Sequence, residues 1–522
     1  MGRLICELHR PGMTSLHRVG LAGLYMTLDA FARDDEVQEE LEEAGVSWTL
    51  ADRQVTLDFA DGQTERGLTK LIELAFQLDD GFFRLPGLER GAPPTMEQKW
   101  LLYQALLGTF LQFGPHRPTG KKDTLVIEID DKPMRIPGFA PIQRYRHQQA
   151  NKVFLDKKGA LVEKVDLAGW LFPGGAQRHV AWGDSTLEEP AELAFCLLFA
   201  PVGAIFFQVS SRRRGRKART ALVLPTVTSL PGYSTLRRSL LAKGVLALTV
   251  ASPTDAALQL AVMVQGQALN EHLEGPIRVM AFGIVNWNEK QKSRTAAFVI
   301  NPTQLPGMSN YHLASAIFKN RWQVIGAKKD RKGKVKEPEH AFVRPFTARE
   351  MIADNVANRR PWYERFADYM SGKETRISLQ FERKELFEMT QAAHYDHSNE
   401  HAFIQTCHEA WRRRLGHLGE RSRREHIRFD RLASGEYEKL RVALTRCKNA
   451  ATLRAVVTDF WSRAGSLPTL QEGWGDILPL LEEEQWRKAR DLALLALASY
   501  RPTNPAEQQA LTETIMSPEQ QG

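Results

Sequence analysis

From Ile5 to Phe31 the chain passes from an apolar run with strand character, through a Pro11-Gly12 turn, into a stretch where Leu16, Val19, Leu21, Leu24, Met26, Leu28 and Phe31 recur at helical spacing. The pattern predicts a strand, a tight turn and an amphipathic helix. Gly20 and Gly23 fall inside that helix, where each lowers helix propensity relative to alanine, so their expected use is close approach of another backbone. His9, Arg10, His17 and Arg18 bracket the turn and helix start as cations.

Further along, residues 55–59 alternate as an exposed strand. Short β-branched or aromatic runs at 125–129, 204–209, 220–224, 245–250 and 296–300 read as strands with helices between them. Thr347 and Glu350 have capping-box spacing and open a helix expected to continue to about Met370. From about Glu385 onward almost everything reads as helix, with Leu440, Ala443, Leu444, Leu453, Val456, Val457 and Phe460 at core-facing intervals and breaks such as Gly465-Ser-Leu-Pro468. The fold class is α+β, a large mixed N-terminal body over residues 1–375 followed by an all-helical bundle over residues 376–522.

Composition narrows the function classes without choosing one. The 522 residues are 43% hydrophobic and 25% charged, which describes a globular chain with a sizeable core and excludes overall disorder. Lys plus Arg at 70 against Asp plus Glu at 62 gives +8, a surplus too thin over this length to decide a partner. Cys6, Cys196, Cys407 and Cys447 lie far apart with no C-x-x-C pair, as expected of structural thiols in a reducing compartment. Neither a secretory pattern nor a run of about eighteen apolar residues occurs, so a cytoplasmic location without membrane anchorage is expected.

Charge becomes informative where it clusters. Arg212, Arg213, Arg214, Arg216, Lys217 and Arg219 sit between two predicted strands, as a hairpin loop that could lie against phosphates or simply be solvated. Lys328, Lys329, Arg331, Lys332, Lys334 and Lys336, with Gly326 before them and Gly333 among them, form a second basic loop with the same two readings; Trp322 before it reads as core. Arg412, Arg413, Arg414, Arg421, Arg423, Arg424, Arg428 and Arg431 make a third cluster on predicted helices, with a break expected at Gly416 and Gly419. The interleaved Glu420, Glu425 and Asp430 offer internal ion pairs that compete with nucleic acid. Smaller candidates are Lys121 and Lys122 after a Pro-His-Arg-Pro-Thr-Gly loop; Arg144, Arg146, His147 and Gln148, which combine cations with side chains able to read base edges; and Gln291, Lys292 and Arg294.

One motif invites an enzyme reading. His397-Ser398-Asn399-Glu400-His401 satisfies H-x-x-E-H, the zinc-metallopeptidase spacing, but its neighbours are polar and no third ligand stands out. The chain has no phosphate-loop sequence, no G-x-S-x-G elbow and no dinucleotide fingerprint behind a clear strand, so no cofactor or metal is expected and a binding protein is the working reading.

The opening string ICELHRPGMTSLHRVGLAGLYMTLDAF resembles the start of the large subunit of the type I CRISPR Cascade effector complex, in its myxobacterial, type I-B-like subtype. His408–Gly416 (HEAWRRRLG), Phe460–Gly465 (FWSRAG) and Arg490–Ala496 (RDLALLA) look like the C-terminal part of the same subtype, and Gln291-Lys-Ser-Arg294 is a short match in the middle. The resemblance implies a non-catalytic subunit partnered by guide CRISPR RNA, by double-stranded target DNA and by the backbone, guide-5′-end and guide-processing subunits. It would contact the protospacer-adjacent motif, help open the duplex, hold the displaced strand and recruit a helicase-nuclease. The large subunit of a CRISPR-associated transposon, recruiting a transposition target-selection protein instead, would have the same sequence character. On this reading the N-terminal loops near Lys121, Arg144 and Gln291 serve motif contact, the Arg212 and Lys328 loops grip phosphates, and the C-terminal arginines line a groove for the single strand.

Overall fold

Strand β1 (Gly2–Glu7) and helix α1 (Ser15–Phe31) form as the hydrophobic pattern predicts. In this computed structural model, which describes residues 2–167, 169–174, 187–211, 218–265, 275–287, 290–329 and 335–501, β1 joins β2 (Val46–Leu50) and β3 (Gln54–Phe59) in an antiparallel sheet of order β1-β3-β2. The run at 55–59 is therefore the central strand and not an exposed one. Val55, Leu57 and Phe59 are buried on one face, and Thr56 is buried as well.

Helix α1 packs on the backbones of two short helices. At Gly20 an added Cβ would run into the Cys196 carbonyl, at Gly23 into the Phe199 carbonyl, and at Gly203 into the Val19 carbonyl. Glycine is needed because the two chains meet main chain to main chain. His17, one of the cations at the helix start, is buried: its Nδ1 accepts from the Thr14 N–H, completing a capping box, and Nε2 sits 2.9 Å from Glu189 Oε2.

The same unit contains helix α2 (Met96–Gly108), the hairpin β4 (Asp123–Ile129) and β5 (Lys132–Phe139), helices α3 (Ala191–Leu198) and α4 (Ala200–Gly203), and a five-stranded sheet. That sheet comprises β6 (Ile205–Val209), β7 (Ala218–Leu224), β8 (Thr249–Val250), β9 (Ile277–Trp287) and β10 (Lys290–Ile300), in the order β8-β6-β7-β9-β10, with helix α5 (Leu230–Leu241) between β7 and β8. The run at 245–250 is only a strand at its end, because residues Gly244–Leu248 form a helix.

Two compact units divide the chain. The first is Met1–Ser210, Lys217–Gln304 and Asn320–Pro345; the second is Ser211–Arg216, Leu305–Lys319 and Phe346–Gly522. The second unit contains helices α6 (Met308–Ile317), α7 (Thr347–Ala357), α8 (Phe366–Ser371), α9 (Lys373–Phe381), α10 (Arg383–Ala392), α11 (Ser398–Glu425), α12 (Phe429–Arg446), α13 (Ala450–Ala464), α14 (Pro468–Ile477) and α15 (Trp486–Ser499). Mixed sheets in one unit and helices in the other make the protein α+β.

The predicted capping box at Thr347 is replaced by a tertiary cap. The Thr347 and Ala348 N–H groups donate to the two oxygens of buried Glu382, each at 2.8 Å, while Glu350 accepts from the Ser211 hydroxyl. The helix then stops at Ala357, short of Met370. Pro361 cannot continue it, and Asn355 Nδ2 holds the Trp362 and Glu364 carbonyls at 2.9 and 2.7 Å. Replacing Glu382 with alanine leaves two buried helix-start donors unmade, so a loss of about 2–4 kcal/mol is expected. Urea unfolding of the full chain checks it, with Glu382→Gln expected to fall between.

In the bundle, Trp411 of α11 lies with its ring 6.0 Å from Phe460 of α13 and 6.3 Å from Tyr437 of α12. The glycines at 416 and 419 do not break α11, which runs unbroken for 28 residues. Among the described residues no helix is long and apolar enough to cross a membrane.

Candidate nucleic-acid interface

Tyr103 of α2 pins the chain after β5, donating its hydroxyl to the Ala140 carbonyl at 2.9 Å and accepting the Ala140 N–H. From there, an antiparallel bridge joins Thr119 to Ile142, supported by Gly120 N–H to Pro141 at 2.8 Å and Gln143 N–H to Pro118 at 3.0 Å. The two separate sequence candidates, Lys121 with Lys122 and Arg144 with Arg146, thereby flank one short ribbon at its opposite ends. All four are exposed and make no ion pair among the described residues.

A side chain that the sequence reading missed lies near the Arg146 end of this ribbon. Phe113 is 53% exposed, with the His116 ring edge-on at 5.0 Å. Burial and the nearby Arg146 cation push His116 below the usual imidazole range. An exposed ring near the unpaired Arg146 is a combination able to stack a base and hold a phosphate. Its signal in the sequence was an aromatic at the head of the Gly114-Pro-His-Arg117 turn, the position that exposes it.

His147 and Gln148 do not belong to this surface as expected. His147 is 1% exposed, boxed by the rings of Phe76, Tyr145 and Trp170 at 5.1–5.9 Å, and neither ring nitrogen has a hydrogen-bond partner. Burial first, and His116 second, lower its pKa to about 3, so it is neutral. Gln148 is half-buried and spends its Oε1 on the Tyr145 N–H at 3.0 Å.

The depressed His147 has a pH consequence. The unfolded chain takes up a proton near pH 6.5 and the folded chain does not, so stability present above that pH is lost as pH falls, by about 2 kcal/mol at pH 5. His147→Phe, which keeps a ring in the aromatic box, is expected to flatten the fall. Melting temperatures of both proteins at pH 7.5 and pH 5 measure it.

Other candidates are placed less completely. Arg212, Arg213, Arg214, Arg216, Lys217, Arg331 and Lys332 lie outside the described residues. The strands flanking the first of these clusters, β6 and β7, pair antiparallel from Ile205 with Val223 to Gln208 with Thr220. Lys328 is exposed and pairs in register with Glu337, and Lys329 with Val335. Gln291, Lys292 and Arg294 sit on the β10 backbone opposite Asn286, Val285 and Gly283.

On α11 the structure sorts the arginines. Arg413 pairs with Glu409 at 3.0 Å, Arg414 with Glu436 at 2.8 Å, and Arg421 and Arg424 both reach Glu425, at 2.8 and 3.3 Å. Arg412 and Arg423 are exposed without an ion pair among the described residues. Because the helix is continuous, positions 412, 416, 419 and 423 fall on one face, giving two unpaired guanidinium groups about 16 Å apart along the axis. Gly416 and Gly419 lie between them as a floor with no side chains, and nothing comes within 4 Å of a Cβ built at Gly416.

The H-x-x-E-H reading loses its geometry. His397 is the residue before the helix, and Glu400, the required general base, is 0% exposed and held by Lys488 Nζ at 2.9 Å. His401 stacks on Tyr395 with ring centroids 5.4 Å apart. Among the described residues no three His, Cys, Asp or Glu side chains converge as metal ligands.

For this two-unit α+β chain, with exposed cations on a ribbon and on a long helix, the relatives identify the kind of protein: CRISPR-associated large subunits. Residues 5–198 match the family described as DevT N-terminal domain, and residues 391–521 match DevT C-terminal domain. The chain is 31% identical over 528 aligned positions to a "CRISPR-associated protein Cas8a1/Csx13" of Myxococcus xanthus (strain DK1622), covering 95% of this chain and 88% of that protein. This chain belongs to the DevT, Cas8a1/Csx13 family of CRISPR-associated large subunits.

Proposed function

We propose that this chain is the non-catalytic large subunit of a type I CRISPR RNA-guided surveillance complex. It contacts the protospacer-adjacent motif in duplex DNA, helps open the duplex, holds the displaced strand and recruits a downstream effector. The observation that carries the reading is the ribbon flanked by exposed Lys121, Lys122, Arg144 and Arg146, with exposed Phe113 near its Arg146 end, in a chain similar along nearly its whole length to a CRISPR-associated protein.

Four unpaired cations hold phosphates, and the ring has an apolar face to offer an unstacked base. Arg412 and Arg423 are spaced to hold two phosphates of a single strand, with the glycine floor between them letting the strand approach the helix. Sequence beyond the short motif is left to pairing by the guide RNA. Guide RNA, the other Cascade subunits and target DNA are accordingly its partners.

The test is co-expression of the tagged chain with its neighbouring operon and a guide array, then binding of the purified assembly to matched duplexes with varied flanking bases across a salt series. Co-purification with guide RNA and flank-dependent, salt-sensitive binding are expected. A chain that purifies alone, without RNA and indifferent to the flank, overturns the reading.

A further inference from the structure

Helix α5 places two consecutive arginines in the interior of the first unit, and only one is provided for. Arg238 pairs with Asp29 at 2.6 Å and donates to the carbonyls of Gly87 and Met26 at 2.9 and 2.7 Å. Arg237 is 2% exposed, forms no ion pair among the described residues, and has an Nε without any hydrogen-bond partner. Its guanidinium lies 5.7 Å from the centre of the Phe206 ring.

Arg237 faces a cavity of about 20 Å3 whose wall also carries Gln208 and Thr220. Gln208 Nε2 is buried and, like Arg237 Nε, lacks a partner. No carboxylate lines the cavity; the rest of the wall is apolar, with Leu101, Ala105 and Leu248. A buried cation and an unmade amide donor thus meet in one small space.

We infer that this cavity is a binding site for a single monatomic anion, chloride in the cell. An unpaired buried charge costs several kcal/mol, and the Phe206 face returns only about 2 kcal/mol. A water molecule could accept from both donors but would leave the charge unneutralised. Room for about one water-sized sphere admits a halide and excludes phosphate, sulfate and a nucleic-acid backbone. The site is structural and independent of the nucleic-acid reading, tying α5 to strands β6 and β7 through Arg237, Gln208 and Thr220.

The experiment is thermal unfolding of the full chain purified in gluconate and titrated with sodium bromide at constant ionic strength, with bromide-soaked crystals measured at the bromine edge. A saturable rise in melting temperature, absent in Arg237→Met, and an anomalous peak between Arg237 and Gln208 are expected. Gln208→Ala, which leaves the guanidinium in place, is expected to raise the half-saturating bromide concentration about tenfold. A melting temperature indifferent to bromide, a rise that persists unchanged in Arg237→Met, or crystals without bromide at this position overturns the inference.

Discussion

Gly23→Ala is expected to destabilise the N-terminal unit by about 3 kcal/mol or more, even after crediting alanine's advantage of about 1 kcal/mol in helix propensity. The new methyl would meet the Phe199 carbonyl, and its next neighbour is the Gly203 N–H. Neither is the far end of a flexible side chain. Relief requires moving α1 off the backbone of residues 196–203, which separates Leu21, Leu24 and Leu28 from the core they share. The double change at Gly20 and Gly23 is expected to prevent that unit from folding. Gly416→Ala is the matched control: with open space around that position, it is expected to stabilise by up to about 1 kcal/mol. Calorimetry of the three proteins gives both signs in one experiment.

Replacing Lys121, Lys122, Arg144 and Arg146 together with alanine is expected to weaken binding of the assembled complex to matched duplex on the order of 100-fold at near-physiological salt. Each cation that neutralises a phosphate contributes about 0.9 to the slope of log affinity against log salt, so the slope is expected to fall by about 4. Phe113→Ala alone should leave the slope unchanged and reduce duplex opening, read by fluorescence of a base analogue next to the motif. The four cations are free of ion pairs, so their loss leaves no buried carboxylate behind, and the melting temperature is expected to hold. Removing Arg413 or Arg414 is a different change. Each leaves Glu409 or Glu436 without its cation, and stability falls along with any binding.

The two terminal stretches that carry the resemblance are mostly interior. In the opening signature, the positions between Leu16 and Phe31 are helix core, Gly20 and Gly23 are contact points between backbones, and His17 joins a capping box to Glu189. In the C-terminal signature, Trp411, Phe460 and Trp461 form the bundle's aromatic centre, while Arg412 is free of ion pairs. A signature of this kind records how the scaffold packs, and the surfaces proposed to meet nucleic acid lie between its parts.

Much of this was present in the order of residues alone. Strand, turn and helix at the start, the α+β class, the helical C-terminal bundle and the sites of the basic clusters follow from hydrophobic period and local composition, which need no knowledge of what lies across the fold. The need for glycine at 20 and 23 was also legible, since a helix that gives up propensity twice needs a compensating contact. Tertiary structure decided what the order of charges left open. Arg413, Arg421 and Arg424 pair with carboxylates of their own helix, which local spacing allowed, but Arg414 is taken by Glu436 of α12, and Arg412 and Arg423 share one face only because α11 continues through two glycines. His147 and Arg237 are polar by sequence and interior by packing, and Glu382 caps a helix that begins 35 residues before it. Period and propensity are properties of a segment, whereas exposure and pairing belong to the folded chain.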